Sequence, residues 1–177
     1  MLLDGASGIT GTRVLPHHSG SDAQWFSHFV GGRICEYLDA SRGIVDSIRL
    51  AVDDSRDYIG EHGVTANEDL FPSSTLVVVS VSGDSVDIVS LGDSPVFTCL
   101  KDGSLVTMSD ARIAELDQAA VDAMVDCSRG CAMTGVQKRA SVNDILLANR
   151  QLKNKPEGYW ILDPTGVGTS QCDAVLH

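Results

Sequence analysis

Thr75-Leu76-Val77-Val78-Val79-Ser80-Val81-Ser82-Gly83-Asp84-Ser85-Val86-Asp87-Ile88-Val89-Ser90-Leu91-Gly92-Asp93-Ser94 decides the fold class. Thr75 to Val81 is rich in β-branched residues and has the length of a strand, not a membrane span. Ser82-Gly83-Asp84 is a hairpin signal, and Val86 to Leu91 returns as the second strand. Pro95 to Leu100, the turn Lys101-Asp102-Gly103, and Leu105 to Met108 extend the pattern. Together these segments predict an antiparallel meander of about four strands.

Helical periodicity flanks the meander. Trp25, Phe26, Phe29, Val30, Ile34 and Leu38 recur at helical spacing up to about Ala40, with Asp22 as the expected N-cap. A second helix is expected from Ile44 to Glu61, with Ile44, Ile48, Val52 and Ile59 on one face. Its acidic residues Asp53, Asp54 and Asp57 read as a solvated face. Two more helices are expected at Ala111 to Asp126 and Ser141 to Gln151, the latter opened by a capping box of Ser141 and Asp144. A last strand is expected at Gly158 to Leu162, followed by the turn Asp163-Pro164-Thr165-Gly166. Leu2-Leu3 reads as the end of a buried strand, Asp4 to Gly20 as glycine-bearing loop, and Cys172 to Leu176 as the start of another strand. Both ends of the sequence thus read as lying within elements. The layout is α+β, a single domain over residues 1–177 with helices packed on a sheet.

Composition excludes several classes of function. The chain has 177 residues, with 13 Lys plus Arg against 24 Asp plus Glu, a net charge of −11. That balance argues against nucleic acid or an anionic membrane as partner, because both require a basic patch. The N-terminus has neither the basic region nor the apolar run of a signal peptide. Five cysteines (Cys35, Cys99, Cys127, Cys131, Cys172) form no C-x-x-C pair. They read as reduced thiols in a cytoplasmic protein.

Phosphate-loop, dinucleotide, zinc-protease and nucleophile-elbow motifs are all absent from the sequence. His17 and His18 fall in the predicted loop and read as solvent-exposed. Two acidic turns at strand ends remain. Leu3-Asp4-Gly5 delivers one carboxylate, and Gly5 permits a bend that turns its carbonyl toward the same ion. Leu91-Gly92-Asp93 delivers the other. Two such carboxylates at one sheet edge suit a hard divalent cation. Asp-Gly and Gly-Asp are equally common turn dipeptides, so an acidic structural module remains an alternative.

Taken in order, these segments resemble the metal-dependent type 2C protein phosphatase family in its bacterial form. Leu3-Asp4-Gly5-Ala6-Ser7-Gly8 resembles its first Asp-Gly motif, and Trp25 opens the helix that follows. Pro72 to Val79 resembles the small-residue entry to a buried strand, and Ser90-Leu91-Gly92-Asp93-Ser94 the Gly-Asp-Ser turn. Met108-Ser109-Asp110 resembles the segment after the next hairpin, and Asn149-Arg150 through Pro156 to Leu162 a later strand.

The resemblance implies a four-layer α-β-β-α sandwich and a hydrolase acting on phosphoserine and phosphothreonine in a protein substrate. It implies Mg²⁺ or Mn²⁺, two ions in the family, bridging the attacking water. Asp4 matches the bridging aspartate, Gly5 the carbonyl donor, and Asp93 an acid at a weaker third metal. Asp110 matches a structural position. The family also places an acid and a phosphate-gripping arginine before its Asp-Gly, and a second Asp-Gly and a last metal aspartate after the strand that Cys172 begins. These have no counterpart in the 177 residues, and Arg13, which follows the motif, does not replace the arginine. The domain is therefore expected to be partial. The alternative is a truncated or degenerate phosphatase-like domain without catalysis, acting as a binding module or inactive fragment.

Overall fold

A ten-residue strand, β2 (Ser73–Ser82), lies at the centre of a three-stranded antiparallel sheet in a computed structural model of the chain. The structure describes residues 1–6, 11–38, 42–127 and 134–172, with backbone only at 127, 138 and 139. β1 (Leu2–Ala6) pairs along one edge of β2, with Leu3 opposite Leu76 and Asp4 opposite Thr75. β3 (Ser85–Leu91) pairs along the other, with Val78 opposite Val89. Gly83, at φ +59°, takes the left-handed conformation that the two-residue turn between β2 and β3 requires. Asp4, Gly5 and Ala6 are therefore strand residues, not the start of the expected loop. Of the rest of that loop, residues 7–10 lie outside the described residues, and 11–20 carry no helix or strand, as expected.

The four-strand meander does not form. β4 (Val96–Cys99) and β5 (Leu105–Met108) pair only with each other, as a separate two-stranded sheet. The chain leaves the first sheet at Gly92, whose φ is +89°. A β-carbon there would lie 2.9 Å from Thr75 Cγ2, so the turn folds tightly against β2. Pro95 then lacks the N–H that would continue a ladder.

α1 (Asp22–Tyr37) and α2 (Ile44–His62) cover one face of the first sheet. Phe26, Val30 and Ile34 of α1 and Ile48, Val52 and Ile59 of α2 are buried against Leu76, Val78, Val89 and Leu91. The N-cap of α1 is Ser21, whose Oγ accepts from Gln24 N at 3.1 Å. Asp22 instead sits in the first turn and reaches back, accepting from Leu15 N at 3.3 Å and from Val14 N. The helix ends at Tyr37, earlier than Ala40. The acidic face of α2 is only partly solvated. Asp54 accepts from the Tyr37 hydroxyl at 2.7 Å and pairs with Arg33 at 3.2 Å, joining α2 to α1.

α3 (Ala111–Cys127), α4 (Gly135–Ser141) and α5 (Asn143–Gln151) complete the described helices. No capping box forms at Ser141, which belongs to α4. α5 starts after Val142, a buried residue whose side chain offers no cap. Burial of Val142 fixes the break between the helices and overrides the local polar pattern.

Residues 158–162 make isolated bridges instead of a strand. Leu162 exchanges backbone hydrogen bonds with Ser74 at 2.9 and 3.0 Å, on the side of β2 that β3 leaves open. Pro164 stops any extension. The strand expected to run from Cys172 to Leu176 lies almost wholly outside the described residues.

Among the described residues the fold is therefore α+β, with five helices and two small antiparallel sheets. The described helices include none long and apolar enough to cross a membrane.

Candidate functional site

The alternation of β1 decides which side chains reach the site. Leu3 and Gly5 face α1. A β-carbon on Gly31 of that helix would lie 3.4 Å from Leu3 Cδ1, and one on Gly5 would lie 2.8 Å from the Ala23 carbonyl oxygen. Leu2, Asp4 and Ala6 consequently point to the opposite face of the sheet. Glycine at position 5 thus answers the close approach of α1. The bend expected there is absent, since Gly5 lies within the β1–β2 ladder opposite Ser74.

Asp4 and Asp93 line one cleft of about 250 Å³, with Thr75, Asn149, Arg150 and Tyr159 among its other walls. Thr75 links the two acids. It stands opposite Asp4 in the ladder, and its Oγ1 lies 2.7 Å from Ser94 Oγ. Gly92 packs against the same threonine. The turn that carries Asp93 is held further by Asp110 N, which donates to Gly92 O at 3.1 Å. The Asp110 carboxylate in turn receives the Arg112 guanidinium at 2.6 and 2.8 Å. Burial pushes the Asp110 carboxyl up, but Arg112 outweighs it and holds the group below the usual carboxylate range. Asp110 therefore anchors the turn and does not enter the cleft.

The other wall comes from α5 and the loop after it. Asn149 Nδ2 donates to Leu116 O at 3.1 Å, fastening α5 to α3. Arg150 is half-buried and lines both this cleft and a second one, whose other walls include Arg13, Ser21, Leu70, Phe71 and Pro72. Among the described residues no carboxylate pairs with Arg150. Burial pushes the Tyr159 phenol up, against the pull of the neighbouring Arg150. Arg13 is committed elsewhere, donating to Leu15 O and His18 O at 3.0 Å each and pairing with Asp22 at 3.4 Å. His17 is exposed, whereas His18 is half-buried with Nε2 3.0 Å from the Tyr58 hydroxyl.

Of the expected ligands, Asp4 and Asp93 share the cleft, while the α-carbon of Gly5 faces α1. No group of three or more His, Cys, Asp or Glu residues suited to a metal occurs among the described residues. The donor set of two carboxylates matches in number the one or two that usually hold a hydrated Mg²⁺ or Mn²⁺ together with waters and a substrate phosphate. It falls short of two ions.

Arg150 and Tyr159 were assigned no role from the sequence, yet a signal was present. Arg33, Arg49 and Arg56 each have an acid three residues away, at Glu36, Asp46 and Asp53, and each pairs with it. Arg150 has Leu146, Leu147, Lys153 and Asn154 at the corresponding positions. An unmatched arginine on a helix is a candidate for a ligand.

The chain matches no protein-family model, no curated protein and no solved structure.

Proposed function

We propose that this chain is a type 2C phosphatase-like domain acting on phosphoserine and phosphothreonine of a protein substrate in the cytoplasm. The observation that carries the reading is the meeting of Asp4 and Asp93, from distant parts of the sequence, in one cleft. That placement disfavours the alternative in which both are ordinary turns. The outer face of the first sheet also fits an α-β-β-α sandwich. Leu2, Val79 and Val81 on it are 52%, 45% and 70% exposed, an apolar surface suited to a second sheet.

In this reading Asp4 and Asp93 would hold the ion through carboxylate oxygens and bound waters, without the Gly5 carbonyl, because Gly5 lies in the β1–β2 ladder and outside the cleft's lining. When bound, the ion supplies a water acidic enough to act as nucleophile near neutral pH. Thr75 ties together the strand that carries Asp4 and the turn that carries Asp93, and residues of α3 and α5 wall the cleft.

The expected result is release of phosphate from a phosphoserine peptide in the presence of Mn²⁺, reduced about 10- to 100-fold in Asp4→Asn. A second reading, a binding module without catalysis, is favoured by the absence of a three-ligand cluster among the described residues. A folded chain that binds the peptide but releases no phosphate with Mn²⁺ would support that second reading and contradict the first.

A further inference from the structure

We propose that the β4–β5 hairpin is a self-association arm, and that the surface covering it is the hairpin of a second copy of this chain. This inference does not rest on the phosphatase reading.

The hairpin has one covered face and one bare face. Its register sets Phe97 opposite Thr107 and Cys99 opposite Leu105, so these four side chains share a face. All four are exposed, Phe97 and Leu105 at 64% each. Val96, Thr98, Val106 and Met108, on the other face, are half-buried. Leu100, beside the turn, is exposed as well.

Among the described elements none packs extensively against the hairpin, and neither of its outer edges is paired. A two-stranded sheet by itself is marginal in water and gains its stability from further strands or from packing on its apolar face. The base of the hairpin is nevertheless fixed. Asp110 N donates to Gly92 O at 3.1 Å, and Ser109 Oγ donates to Asp93 O at 3.4 Å. The apolar face is therefore presented from an anchored base.

Charge selects the occupant. Each chain carries a net charge of −11, so two copies repel wherever their acidic surfaces approach. The hairpin is exempt. Residues 94–109 hold one cation and one anion, Lys101 and Asp102, adjacent at the turn, and β4 and β5 themselves carry no charge. Two copies meet there with the least repulsion. A basic partner gains little from this face, because Asp102 is its one acid and already accepts from Ser104 N at 2.9 Å and Ser104 Oγ at 2.6 Å. In a two-fold contact each copy offers the same Phe97 and Leu105 patch to the other, so the chain itself supplies the matching apolar face. The face spans four residue pairs. That is small beside the roughly 800 Å² per partner of a standard interface, so the expected dissociation constant is about 10–100 μM.

Sedimentation equilibrium of the full chain from about 5 μM to about 500 μM tests this. The mass is expected to rise from 18.8 kDa toward twice that value. Association is expected to tighten as salt rises from about 0.01 M to about 0.15 M, because the screening length falls from about 30 Å to about 8 Å. Phe97→Glu and Leu105→Glu are each expected to weaken association at least about tenfold. Both positions are exposed, so each variant is expected to keep the parent's circular dichroism. Val81→Glu, at an exposed site on the first sheet, is expected to leave association unchanged. Alkylation of Cys99 is expected to slow with rising protein concentration, while that of the exposed Cys35 on α1 does not.

A chain that stays monomeric throughout this range would overturn the proposal. Association lost in Val81→Glu but kept in Phe97→Glu would also overturn it, by assigning the contact to the first sheet. Association that weakens with salt would do the same, by marking an interface built on ion pairs. If neither hairpin variant folds, alkylation of Cys99 that is as fast in the associated chain as in the monomer overturns it instead.

Discussion

Lys153→Met is expected to lower the stability of the chain by about 3–5 kcal/mol, measured by denaturant unfolding. Lys153 Nζ lies 2.8 Å from Asp163 Oδ2, with the two side chains 8% and 1% exposed. Thr165 satisfies the other oxygen of Asp163 through its N–H at 3.1 Å and its hydroxyl at 2.5 Å. Removing the ammonium leaves a carboxylate in the interior with hydrogen bonds but no counter-charge. Attraction within such a pair roughly offsets the cost of burying it, so loss of one partner is far worse than loss of both. Adding Asp163→Asn to Lys153→Met is therefore expected to recover a substantial part of the loss. A Lys153→Met chain within about 1 kcal/mol of the parent would contradict the account, because that is the range of an exposed pair. The pair also matters to the site. It spans the segment that carries Tyr159 to the cleft and Leu162 to Ser74.

Gly158→Ala is expected to cost about 3 kcal/mol, the upper part of the overpacking range. A β-carbon at Gly158 would run into the Leu152 carbonyl and lie 2.7 Å from Leu152 Cβ. Backbone, not a flexible side-chain tip, blocks the space. Relief requires opening the loop in which Asn154 N donates to Tyr159 O at 2.8 Å and Ile161 N to Asn154 Oδ1 at 2.9 Å. Tyr159 is therefore expected to move as well, so the near-ultraviolet circular dichroism should change along with the unfolding midpoint. An alanine variant with the parent's midpoint and spectrum would show that the loop does not pack in this way.

The parts of the fold legible in the sequence are those set by local pattern. β2 and β3 carry β-branched runs around a two-residue turn, and α1 and α2 carry an apolar stripe, so each lies within a few residues of its expected place. What was not legible depends on contacts between distant segments. Departure of the chain at Gly92 requires Thr75 as a neighbour, so a four-strand meander and two separate sheets share one local pattern. Residues 158–162 look like a strand in isolation, but the free edge of β2 offers them only Ser74. Ser141 and Asp144 form a sound capping pattern that the burial of Val142 overrides.

For the site, the carboxylates were legible because Asp4 and Asp93 each follow an apolar run. Their meeting was expected only as two acids at one sheet edge; the structure brings both to one cleft, with β1 lying beside β2. The function of Gly5 as a spacer for α1 depends on Ala23 and Ser27, which no local motif announces. Arg150 was visible only as an arginine without an acid at helical spacing.

The central claim is that Asp4 and Asp93 form one cation site. A calorimetric titration of the chain with Mn²⁺, repeated on Asp4→Asn and Asp93→Asn, tests it most directly. The account predicts saturable binding of about one ion, weakened about 10- to 100-fold by either substitution. A folded chain that binds no Mn²⁺, or binds it equally well in both variants, would contradict it.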